Sequence, residues 1–453
     1  MKILKSAIGT FIALGVYGLP QVASANFCAL SGTNNVCNPR HGVAELHAGG
    51  LSVAGSFAAA AVMGAEGFSN SPVPPDFELS IISGCTAQTK TLAAPPIGTG
   101  TLPLSVWPAT CNPDGMALHL NAFSPPNPFP EPPVHWITFK SLDQASALNE
   151  LIRGLRDFGS PGVVPIYGQA DHWVSVTQVT TSPTNVILNV RAFDGGWLGG
   201  SGVDSGFNSY FSGLQSWGTT AWKNTFFTVV TAINPACDGT PGGGCGAPPV
   251  NDPFANHFVL MYEPPAVSSF APVAPVTFGI APGIVAKGGM NEAVAQIRLM
   301  DALVAGGIDS DVTMWNGIKG GTPGAAFRVA GVWPSGAAYD YYLVPILSSK
   351  NTNTAIGFAQ LDAADGSFQG VNLLTTPAPF TPVRSPKARD IAKSVLGQGE
   401  SLTGGTLTWD PRSNTGFAKS PNAPYYEFGI VGADSKTAKA LVRLNDGMVV
   451  RTN

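Results

Sequence analysis

His172-Trp173-Val174-Ser175-Val176-Thr177 is the stretch from which a fold can be read outward. Its side chains alternate between two faces, as in a half-buried strand. Upstream, Val163-Val164-Pro165-Ile166-Tyr167 reads as a neighbouring strand, and downstream Asn185 to Phe193 reads as a third, ending at Asp194-Gly195-Gly196. A histidine therefore opens one strand and an aspartate closes the next. In an antiparallel pair that brings both to one end. Before these strands, Leu148, Leu151, Ile152 and Leu155 recur at helical spacing within Ser141 to Phe158, with Ser141 and Asp143 as capping candidates.

Further upstream, Gly50 to Gly64 (GLSVAGSFAAAAVMG) reads as the start of an alanine-rich helix with Ser56 at its head. A helix, a V-V-P-I strand, an H-W-V-x-V-T strand and a strand ending in aspartate together resemble the papain-like cysteine peptidases, in particular the C39-like branch. The resemblance covers about residues 51 to 196. It implies an α+β fold: a papain-like N-terminal domain with a central helix packed on an antiparallel sheet, followed by a smaller C-terminal helix-plus-antiparallel-sheet module. The family's nucleophile is a cysteine at the helix start. Here Ser56-Phe57-Ala58-Ala59-Ala60-Ala61-Val62-Met63 falls on that position, and the resemblance gives His172 and Asp194 the other two catalytic roles.

That chemistry uses a helix N-terminus and an imidazolium to hold a thiolate, a histidine to return the proton, and a carboxylate to fix the ring. The chain departs from the family in two places. Ser56 is far harder to ionise than a thiol, and Ala48-Gly49-Gly50 holds no oxyanion glutamine, His47 being the nearest polar side chain. Ser56 also suits a simple N-cap, and Asp194 before two glycines suits a turn. Cys28 and Cys37 are the other early thiols, but Asn-Pro-Arg-His after Cys37 reads as a turn and not as a helix.

Lys2 and Lys5, an apolar run from Ala7 to about Leu19, and Val22-Ala23-Ser24-Ala25 read as a signal peptide cleaved after Ala25, implying a secreted or periplasmic protein. The apolar run is shorter than the roughly 18 residues of a membrane span, so an integral membrane protein is not expected. Without residues 1–25 the chain keeps 22 basic against 28 acidic residues, a net charge of −6, which does not suit nucleic acid. Only 11% of residues are charged, with 54 glycines and 39 prolines, which describes a loop-rich, uncharged surface over cores that 44% hydrophobic residues can fill.

Six cysteines in an oxidising compartment favour bridges. Short Gly/Pro/Asn-rich loops favour Cys28 with Cys37, Cys85 with Cys111 and Cys237 with Cys245. No C-x-x-C or H-x-x-x-H spacing points to a metal, and no cofactor is expected.

The organisation reads as a signal peptide (1–25), a papain-like domain (26–265), a Pro/Ala/Val linker (266–275) and a C-terminal α+β module (276–453). In the module Met290, Ala293, Ile297, Met300 and Val304 recur at helical spacing. Tyr341 to Pro345, Ile356 to Asp362 and Asp365-Gly366 are weakly matched by Tyr425 to Phe428, Ala440 to Leu444 and Asp446-Gly447, two hairpin units each with an Asp-Gly turn. Three functions follow as expectations: a degenerate peptidase binding a peptide or protein ligand in the former active-site cleft; an active hydrolase using Ser56 or a free cysteine with His172 and Asp194; and an extracellular interaction protein acting through the C-terminal module.

Overall fold

A hairpin of β1 (Cys28–Ser31) and β2 (Asn34–Cys37) begins the part of the chain that the structure, a computed structural model, describes. That part comprises residues 28–38, 106–107, 110–111, 113, 117, 136–160, 162–165, 173–194, 213–226, 254–262, 277–279, 282–411, 420–432 and 438–452. Within it, β3 (Val106–Trp107) and β4 (Thr110–Cys111) form a small separate ladder. Next come β5 (Ile137–Ser141), helix α1 (Gln144–Arg153), β6 (Gly162–Pro165), β7 (Trp173–Thr181), β8 (Val186–Asp194) and β9 (Gly213–Gly218). After β10 (Phe258–Tyr262) and β11 (Thr277–Phe278), three short helices follow: α2 (Glu292–Ile297), α3 (Leu299–Ala305) and α4 (Val312–Ile318). Strands β12 (Thr322–Pro323), β13 (Phe327–Val332), β14 (Ala338–Ser348), β15 (Asn351–Asp362) and β16 (Phe368–Pro379) lead to helix α5 (Ser385–Ala392). The last strands are β17 (Ser401–Trp409), β18 (Tyr425–Val431), β19 (Ala438–Arg443) and β20 (Val449–Thr452).

Several of these elements stand where the sequence predicts them. Asp143 caps α1, its carboxylate accepting from the Ser146 N–H at 2.9 Å, and Leu148, Leu151 and Ile152 face the core. Gly159, at φ +60°, ends the π-helical turn that continues α1, a conformation that glycine adopts without a Cβ clash. Cys28 and Cys37 are paired across the β1–β2 hairpin by a disulfide. Cross-linking a loop this short removes unfolded-state freedom worth about 2–3 kcal/mol. The double variant Cys28→Ala/Cys37→Ala is accordingly expected to lose that much in urea unfolding of the full chain. A loss under about 0.5 kcal/mol would contradict it. The pairings proposed for Cys85 with Cys111 and for Cys237 with Cys245 fall outside the side chains described.

The papain-like layout is not what these elements build. One mixed sheet of 18 strands runs through the described chain, instead of a helix-centred domain with a separate module. Antiparallel pairing links β5, β10, β6, β7, β8 and β9 in turn, with β2 alongside the second half of β7. It then passes directly to β16, β15, β14 and β13. Strand β9 lies on β16 over five residue pairs, from Gly370 with Trp217 to Leu374 with Gly213. Residues 266–275, read as a linker, lie outside the described residues, while strands from either side of them share this ladder. The physical reason for the difference is that hairpin signals are local, whereas the pairing of β9 with β16 joins segments about 150 residues apart that carry no mutual signal in sequence.

The C-terminal part contains two copies of one plan, residues 282–379 and 383–452. Each runs from helix to three long strands, an Asp-Gly turn and a last strand, the first copy having three helices and the two-residue β12 before them. In the first turn the Asp362 N–H donates to the Ser367 carbonyl (2.9 Å), the Gly366 N–H to the Asp362 carbonyl (2.9 Å) and the Ser367 N–H to Asp365 Oδ1 (2.9 Å). In the second, Arg443 donates to Met448 (2.8 Å), Gly447 to Arg443 (2.9 Å) and Met448 to Asp446 Oδ1 (3.1 Å). Gly366 and Gly447 both take positive φ, +72° and +78°. The weak repeat in sequence is thus a repeat in hydrogen bonding.

The copies meet where β13 runs parallel to β17, Gly331 beside Trp409. Equivalent parallel neighbours are related by a rotation about an axis along the strands, which exchanges the two faces of the sheet. The helices do sit on opposite faces. Tyr342, Val344 and Ile346 of β14 pack with α2, α3 and α4, and Tyr339, Tyr341 and Leu343 with the core that holds Ala388 and Ala392 of α5. Buried on both sides, β14 reads as a continuous apolar run, each large side chain contributing about 1.5–3 kcal/mol of burial.

The helix expected from Met290 to Ala305 is present as α2 and α3, broken at Arg298, but it is rolled relative to the expectation. Ala295, Leu299, Ala302 and Leu303 form its buried face, whereas Ile297 and Val304 of the expected stripe are 77% and 47% exposed. Both stripes are apolar, so periodicity alone selects the helix and not the side that it buries.

Candidate functional site

Ser56 and His172 lie outside the described residues, as does His47. Asp194 is the last residue of β8, its backbone paired with Gly213 of β9. The pairing of Ser175 with Phe193 sets the described start of β7 beside the end of β8. Cys28 and Cys37 are joined to each other, which leaves neither as a thiolate nucleophile. Among the described residues no group of three or more His, Cys, Asp or Glu side chains is arranged to hold a metal. No helix among them is long and apolar enough to cross a membrane.

Two concave places among the described residues bear on a site. A cavity of about 220 Å³ lies against the disulfide, walled by Asn35, Ile152, Arg156, Thr181 and Asn185. Arg156 is already engaged there, with Asp157 at 3.0 Å. The larger is an open groove of about 500 Å³ at the junction of the two C-terminal copies. Two helix starts flank it: Glu292, Ala293 and Gln296 of α2 on one side, and Arg384, Ser385 and Pro386 at the head of α5 on the other. Its floor is apolar and buried, made of Ala326, Phe327 and Tyr426.

The local sequence explains the geometry. Asn291 caps α2 by accepting from the Val294 N–H at 3.0 Å, so Glu292 and Ala293 are exposed in the first turn. Pro386 sits in the first turn of α5, where its missing N–H costs nothing, and Arg384 precedes it in extended conformation. Glu292 and Arg384 form no ion pair with each other, yet both act on Tyr426. Burial pushes the Tyr426 hydroxyl above its ordinary value, Arg384 draws it down and Glu292 raises it. The groove therefore offers an acid, a base and an aromatic floor.

Sequence reasoning found the strand that carries Tyr426 and the helix that carries Ala293, but not their meeting. Ser385-Pro386 was the available signal for the start of α5. No family model matches the chain, and no curated protein or solved structure does.

Proposed function

We propose that this chain is an exported interaction protein that binds a peptide or protein partner through its C-terminal half, in the groove between the two copies. The observation that carries the reading is the groove itself: exposed Glu292, Ala293 and Arg384 around a buried floor of Phe327 and Tyr426. Unpaired opposite charges beside an apolar floor give specificity through charge placement and affinity through desolvation of the floor. The signal-peptide pattern at residues 1–25 supports export.

The test is to pan a random-peptide display library on the full chain and to measure the selected peptides by calorimetry. Ala293→Trp fills the groove from an exposed position, so the fold is retained while binding is expected to weaken by at least about tenfold. Arg384→Glu is expected to reselect peptides of opposite charge. Peptides that bind Ala293→Trp as tightly as the unaltered chain, or a library that yields no shared motif, would overturn the proposal.

A further inference from the structure

We infer that the outer edge of β20 is a strand-accepting edge, which takes an extended segment of another polypeptide in antiparallel pairing. This edge is distinct from the groove, and the internal duplication singles it out. Rotation about the β13–β17 junction exchanges the two copies, so the outermost strand of the first, β16, is the counterpart of β20 in the second. The outer edge of β16 is filled by β9. The equivalent edge of β20 has no strand among the described residues, where β20 pairs with β19 alone.

The backbone is set for such pairing. Arg443 donates to the Met448 carbonyl at 2.8 Å, which fixes the hydrogen-bonding phase of the β19–β20 ladder. With Val442 opposite Val449 and Ala440 opposite Arg451, alternation turns the N–H and C=O groups of Val449 and Arg451 outward. An unpaired row of this kind is a template for strand addition. One face beside it is closed. Arg451 bonds Glu400 through both nitrogens, at 2.6 and 2.8 Å, and reaches the Val395 carbonyl at 3.1 Å. The pairing with Glu400 holds that carboxyl at about 2, with the guanidinium the largest cause. With Arg451 neutralised in this way, an incoming segment meets backbone groups and the side chain of Val450 instead of an open charge. The chemistry of the ligand is therefore that of β9 (GLQSWG): a short, uncharged, extended segment with one large apolar side chain on each face, Leu214 and Trp217.

The probe is a synthetic peptide of residues 211–220 of this chain (FSGLQSWGTT), titrated into the full-length protein. Saturable binding is expected, with cross-peaks to Val449 and Arg451 in NMR. It should weaken by at least about tenfold when alternate peptide amides are N-methylated, a change that leaves the protein untouched. Val449→Pro removes an outward donor and should do the same, its fold being checked by urea unfolding. Ala293→Trp should leave this binding unchanged. Absence of saturable binding, equal affinity for the N-methylated peptide, displacement of β9 from β16 as the mode of binding, or a β20-mediated dimer of the chain would each overturn the inference.

Discussion

Replacing Arg191 with alanine is expected to cost the folded chain about 3–5 kcal/mol, because it leaves a buried carboxylate without its cation. Arg191 of β8 reaches Asp311 at the head of α4 with Nη1 to Oδ1 at 2.7 Å, and the Asp311 side chain is only 1% exposed. The same oxygen accepts from the Met314 N–H at 3.1 Å and so caps α4. Asp311 Oδ2 has no hydrogen-bond partner. The contact ties β8 to the first C-terminal copy, as does Asn189 Nδ2 to the Gly306 carbonyl (2.8 Å), while Ser31 Oγ to the Ser310 carbonyl (2.8 Å) ties β1 there. Equilibrium urea unfolding of the full chain measures the loss. Arg191→Met with Asp311→Asn removes both charges and keeps the capping oxygen, so it should recover most of the stability. A loss of less than about 1 kcal/mol for Arg191→Ala would show a solvated pair instead.

Trp409→Ala is expected to cost a similar amount, about 3–5 kcal/mol, for a different reason. Trp409 is fully buried at the parallel junction, edge-on to Tyr339 and Tyr341 with ring centroids 6.4 Å away in both cases. Its removal opens a cavity where the two copies join, in a core that relaxes only partly. The indole Nε1 has no hydrogen-bond partner, however, so part of the burial gain is already offset. Trp409→Phe gives up ring area but also that unpaired donor, and should cost roughly half of the alanine value or less. A phenylalanine variant as unstable as the alanine one would show that the donor has a partner in solution.

Local grammar was legible at the level of single elements. The Asp143 cap, the Cys28–Cys37 bridge, the Tyr341 and Tyr425 strands and both Asp-Gly turns depend on neighbours within about ten residues, and each stands where the spacing puts it. The groove was not legible, because Arg384, Glu292 and Tyr426 come from elements that only long-range pairing brings together. The expected stripe of α2 and α3 shows the same boundary at finer scale. Ala293, Ile297 and Val304 are as apolar as the face that is buried, and the sheet beneath selects Ala295, Leu299 and Leu303 instead.

By itself the sequence determined where some of the strands lie, which cysteines close a short hairpin, and that two C-terminal stretches share a plan. Those are consequences of backbone sterics and side-chain alternation acting over a turn or two. Only the tertiary structure decided that β9 joins β16, that β13 lies parallel to β17, and that one continuous sheet replaces the papain-like arrangement. Any extended strand offers the same backbone donors and acceptors, so the choice among partners is made by the packing of whole faces, which no single segment encodes.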